Sequence, residues 1–258
     1  MNSPITDVAD RARGPKIDSR LGRAMRPANP IIVWLGLVAY LVVVAVLLRT
    51  IVPVTFVDRS QAGFFEPAGL VAMGVMGLLG VWLSTRTGFP DPLDPRISQL
   101  QRFGIPTLIG LAAGALFLVT DVVTAMSRLQ VEHLNVPSTD IAFPASLFVY
   151  SAGVIYTEII FRLFTIPVLL WLISNLLLWG RGQEATFWVL AILTSMIEPL
   201  TQTGYRVLPV LPLLFVMLQS FGTNLAQAAM FRKYGFLASI TLRLAFYLIY
   251  HYVGAPFK

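Results

Sequence analysis

From residue 30 onward, long apolar runs alternate with short polar connections. The first run extends from Ile31 to about Leu48, entered through Pro30. The second, Phe64 to Ser84, carries Gly69, Gly74, Gly77 and Gly80, small residues that let a second helix approach closely. A stiff polar loop from Thr85 to Arg102 holds Pro90, Pro92 and Pro95. The third run, Ile105 to about Met126, contains Gly110-x-x-x-Gly114, a further close-packing site, and Asp121 near an end where it is expected to reach water. A loop from Arg128 to Phe143 follows, with Glu132-His133 read as solvated.

Pro144 to Trp179 shows no convincing turn, because Pro167 bends a helix more readily than it reverses one. It reads as one long, kinked helix that carries Glu158 and Arg162, four apart and so on one face. After the turn Gly180–Glu184 come Phe187 to about Leu200, which ends at Glu198-Pro199-Leu200-Thr201-Gln202, and then Leu208–Phe231, with Asn224 and Gln227 placed to bond across to a neighbour. The last run, Phe236 to Val253, has Arg243 near its middle. Its Tyr247, Tyr250 and Tyr252 are expected to form an interfacial belt. The pattern predicts an all-α, polytopic membrane protein with seven transmembrane helices, or eight if the chain reverses near Arg162.

Composition supports that class. The 258 residues are 56% hydrophobic and only 12% charged, about half the charge of a soluble domain. The net charge of +6 lies in the polar tail 1–29 and the connecting loops. It therefore speaks for membrane orientation and lipid headgroups, not nucleic acid, with a retained cytoplasmic N-terminus. No cysteine is present and histidine occurs only at 133 and 251, so no metal or cofactor is expected. A charge at mid-membrane costs at least about 2.5–3.5 kcal/mol, which makes Glu158, Arg162, Glu198 and Arg243 the residues to explain.

Three places in residues 144–258 resemble the CPBP family, the CAAX prenyl protease and bacteriocin-processing intramembrane endopeptidases, also called Abi proteins. Thr157-Glu158-Ile-Ile-Phe-Arg162 is similar to the family's E-E-x-x-x-R helix. Glu198-Pro-Leu-Thr-Gln202 falls where the family has F-x-x-x-H, and Phe231-Arg232-Lys233-Tyr234-Gly235 resembles its basic-aromatic-Gly turn. The resemblance implies residues 30–143 as an N-terminal set of membrane helices before a CPBP-like helical domain. In the family the first Glu activates water, and the His and Asn positions support the substrate oxyanion. Here those positions hold Thr157, Gln202, Arg243 and Tyr247, and only Glu158 and Arg162 survive. A threonine hydroxyl cannot replace a carboxylate as base at neutral pH.

The resemblance therefore implies the fold without the proteolysis: a pseudoenzyme of the bacterial inner membrane, acting as an accessory, scaffold or assembly subunit. Its partners would be lipids and another membrane protein or a transmembrane or lipidated peptide. Glu198 is expected to pair with Arg243 in a frozen salt-bridge network. The alternative is an active glutamic-type endopeptidase using Glu158 or Glu198, with Gln202 donating to the oxyanion.

Overall fold

The computed structural model describes residues 30–52, 59–135, 140–201 and 206–257. The basic tail and Gln202 lie outside these residues. Helices α1 (Pro30–Thr50), α2 (Arg59–Phe64), α3 (Pro67–Arg86), α4 (Leu100–Thr124) and α5 (Met126–Leu134) form the first part. They are followed by α6 (Ala145–Leu177), α7 (Gln183–Thr201), α8 (Val210–Tyr234) and α9 (Phe236–Val253). Among the described residues no strand occurs.

Six of these helices, α1, α3, α4, α6, α8 and α9, are long and apolar enough to cross a membrane. Their outward faces are greasy: Leu108, Val123, Leu211 and Leu218 are each more than three-fifths exposed. A soluble protein rarely exposes so much contiguous apolar surface, so the chain is a membrane-embedded helical protein. The expected span from Phe187 to about Leu200, which is α7, is absent from the six. Its 19 residues would reach about 28 Å, but Gln183 and Glu184 at one end and Glu198 and Pro199 at the other dilute its apolar character.

Helix α6 runs without reversal for 33 residues, about 50 Å. Two π-helical stretches, Ile159–Phe164 and Trp171–Leu177, flank the turn that contains Pro167. Pro167 has no N–H to answer the Leu163 carbonyl. That oxygen lies against Gly80 of α3, where a Cβ would fall only 2.2 Å from it. Gly77 admits the Trp34 indole of α1 in the same way, whereas Gly74 faces open space and takes no part in the seam. On α4, Gly110 and Gly114 receive the Leu242 and Phe246 carbonyls of α9.

Two bundles result. Helices α1, α3 and α6 pack together, as do α4, α8 and α9, while α7 joins α6 to α8 and α9 also touches α6. Gly235 separates α8 from α9 at φ +85°, a conformation that favours glycine. Beside it Arg232 clamps the end of α8 to Glu184 of α7 (2.9 Å) and to the Thr87 carbonyl (3.1 Å), with its guanidinium over Phe89 and Phe187.

Several expectations need correction. The expected loop Arg128–Phe143 begins inside a helix, Met126–Leu134, and Asp121 is buried, accepting bonds from the Ser127 N–H and hydroxyl and from Tyr250. Carboxylates that close to a span end stay dry when a local turn supplies donors. The terminal tyrosines do not form an outward belt. Tyr250 is buried, and Tyr150, Tyr247 and Tyr250 surround the His251 ring at 4.2–4.8 Å.

Candidate functional site

Four helices supply one buried polar cluster. Glu158 and Arg162 come from α6, Glu198 from α7, Asn224 and Gln227 from α8, and Ser239 and Arg243 from α9. The side chains of Glu158 and Arg162 are fully buried and that of Arg243 is 5% exposed. Glu198 retains 14%. Two carboxylates face two guanidiniums, so the cluster is neutral, which is the condition for holding four charges inside an apolar bundle.

Arg243 occupies the centre. Its Nε donates to Glu158 Oε1 (2.9 Å), and its Nη1 and Nη2 donate to Glu198 Oε1 (2.7 Å) and Oε2 (2.8 Å). Nη2 also reaches Asn224 Oδ1 and Gln227 Oε1, both at 2.8 Å. The Glu198 contact is the two-pronged fork that makes Arg–carboxylate pairs strong and specific. The other Glu158 oxygen, Oε2, accepts from the Ser239 hydroxyl. Each oxygen of Glu158 thus accepts a hydrogen bond.

Arg162 is fixed differently. Nη2 donates to the Asn224 carbonyl (3.1 Å), Asn224 Oδ1 (2.7 Å) and Gln227 Oε1 (3.0 Å), and Nη1 reaches Glu198 Oε2 at 3.3 Å. Its approach to Glu158 is only a loose ion pair, Nε to Oε2 at 4.0 Å, and Nε has no hydrogen-bond partner among the described residues. The four-residue spacing predicted a direct pair. A π stretch begins at Ile159, immediately after Glu158, and its wider turn changes the phase between the two side chains. Glu158 makes its closer contacts with Arg243 and Ser239 of α9.

Thr157 stands apart, with its hydroxyl bonded to the Gly153 carbonyl of its own helix (2.9 Å). Tyr247 follows Arg243 by one turn and meets Tyr150 and His251 edge-on. Asn224 and Gln227 bond across helices as their position suggested, yet their place in the site was not foreseen, nor was that of Ser239. The available signal was the four-residue ladder Ser239, Arg243, Tyr247, His251 along one face of α9.

A second polar group lies farther along that face. His251 Nδ1 is 3.0 Å from Asp140 Oδ1, the Tyr150 hydroxyl donates to the same oxygen (3.2 Å), and the Ile141 N–H donates to Tyr150. Outside the spans, Asp94 accepts from Arg96 through Oδ1 (3.0 Å) and Oδ2 (2.7 Å), which holds its carboxyl below the ordinary carboxylate value. Among the described residues no three potential ligands gather as for a metal ion. Chemically, the central cluster can cross-link four helices and bind anions through its guanidiniums.

No family model, no curated protein and no solved structure matches the chain.

Proposed function

We propose that this chain is a CPBP-like membrane protein whose catalytic centre has become an ion-pair lock, and that it serves as an accessory or assembly subunit for a membrane partner. One observation carries the reading: Arg243 stands where the family has a histidine and bonds both Glu158 and Glu198. A general base must be able to take a proton from a water within reach. Here the surviving glutamate is enclosed between Arg243 and Ser239.

In this reading α7 also spans, which brings the spans to seven, and the N-terminus is cytoplasmic. Twelve Lys and Arg then fall on the N-terminal side, from Arg11 through Lys233, against five on the other: Arg49, Arg59, Arg128, Arg206 and Lys258. That is the asymmetry of an inner-membrane protein of a bacterium. The partner is another membrane protein or a transmembrane or lipidated peptide, met within the lipid.

Purification in mild detergent, followed by mass spectrometry and by a cleavage assay on membrane-inserted peptides, tests the proposal. The expected result is a stoichiometric membrane partner and no cleavage. Cleavage by the wild type that is lost in Glu158→Gln or Glu198→Gln would replace the scaffold with an active glutamic-type endopeptidase.

A further inference from the structure

We propose that Arg162 and Arg243 form a carboxylate-binding site, of which Glu198 is a built-in occupant that an external carboxylate displaces. The inference rests on the non-catalytic reading of the cluster and names the ligand class of that site. Three guanidinium nitrogens converge on Glu198: Arg243 Nη1 and Nη2 at 2.7 and 2.8 Å and Arg162 Nη1 at 3.3 Å. Each guanidinium is also held by groups other than Glu198. Asn224 and Gln227 grip Arg162, and Glu158 grips Arg243 through Nε. The donors therefore stay aimed when Glu198 leaves, and a preorganised site binds more tightly than one that must assemble.

Glu198 is also the member best placed to leave. Its side chain is 14% exposed, against 5% for Arg243 and none for Glu158 and Arg162. It lies three residues from the end of α7, and Pro199 follows it. Proline removes an N–H from that turn, so the Ser195 carbonyl lacks its normal donor. The Ser195 hydroxyl, three residues before Glu198 on the same side of the helix, is buried without a partner among the described residues. A turn short of internal bonds opens at lower cost than the rest of its helix. The site also holds a spare donor, Arg162 Nε.

Charge selects the ligand. Without Glu198 the cluster holds one carboxylate and two guanidiniums, a net +1. A monoanionic carboxylate restores neutrality, whereas a phosphate dianion leaves a net negative charge in an apolar bundle. The planar fork fits the carboxylate as well. Within a membrane that group arrives on an apolar body, either a fatty acid or the C-terminus of a membrane peptide.

The test uses full-length Glu198→Ala protein in detergent, followed by thermal unfolding. Its midpoint is expected to fall by several degrees and to rise saturably with formate or acetate, as native-state binding requires. Chloride and phosphate at equal ionic strength are expected to give no such rise, and Arg243→Gln in the same background to abolish it. The wild type responds less, because its own Glu198 competes at high effective concentration. Decanoate and a transmembrane peptide with a free or amidated C-terminus separate the sources. A rise with decanoate assigns the fatty acid, and a rise only with the free C-terminus assigns the peptide. No carboxylate-specific rise, or one that persists without Arg243, overturns the proposal. If Glu198→Ala does not fold, the same titration of Glu198→Gln decides, since a neutral amide competes weakly for two guanidiniums. Occupancy is read without turnover, so any outcome stands apart from the cleavage assay.

Discussion

Removing the Arg243 guanidinium would leave Glu158 with the Ser239 hydroxyl and Arg162 Nε at 4.0 Å. Glu198 would keep a single bond of 3.3 Å. Stripping one partner from a buried ion pair costs about 3–5 kcal/mol, because the remaining charge stays uncompensated. Arg243→Gln is therefore expected to destabilise the detergent-solubilised protein by that order, read as a lowered unfolding midpoint. Thr157→Val, which removes only a bond to its own helix backbone, is expected to cost about 1 kcal/mol or less. Asp94 gives a pH-dependent case outside the membrane. The Arg96 side chain holds the folded Asp94 carboxyl below the ordinary carboxylate value, so the contact contributes stability above the unfolded value and loses it as pH falls through the folded one. The difference in midpoint between wild type and Asp94→Asn is expected at neutral pH and to vanish in strong acid.

At the scale of elements, the glycine seams make the sharpest predictions. Gly80→Ala would drive a methyl to 2.2 Å from the Leu163 carbonyl, and Gly110→Ala to 2.2 Å from that of Leu242. The contact in each case is backbone, which cannot swing aside, so overpacking of about 1–3 kcal/mol is expected in unfolding experiments. Gly36→Ala and Gly74→Ala, with nothing within 4 Å, serve as controls and are expected to be neutral or slightly stabilising. The apolar runs made the long helices legible, and a three-residue spacing brought Asn224 and Gln227 to notice. What remained hidden depends on phase. Nothing in Ile159–Phe164 announces a π stretch, so the sequence implied the Glu158–Arg162 pair, present at 4.0 Å, without showing that the tighter partner of Glu158 is Arg243 at 2.9 Å. Asp121 was misjudged for a related reason, since the αL turn at Ala125 that brings Ser127 back to it has no glycine to mark it.

For the whole molecule, the question is which way the bundle faces. Since the chain has no cysteine, single substitutions report topology without further engineering. With seven spans and a cytoplasmic N-terminus, Ser98→Cys is expected to resist a membrane-impermeant maleimide in intact cells and Glu132→Cys to react. Both positions are exposed in the fold. Labelling of both from one side would show that α4, the one span between them, does not cross. Composition made the membrane class legible. It left the standing of α7 open, because a helix with glutamates near both ends balances span length against polarity.

The π stretch after Glu158 behaves, in effect, as an inserted residue. Each turn of i→i+5 bonding takes up one residue more than an α-turn, so the helix beyond Phe164 is rotated relative to the part before Glu158. Deleting Ile160 would let the segment relax to regular α-helix, keep Glu158 facing Ser239 and Arg243, and carry Arg162 around the axis away from Asn224 and Gln227. A shortened α6 should then be no less helical by circular dichroism and yet much less stable, separating the helix as an object from the register that joins it to its neighbours.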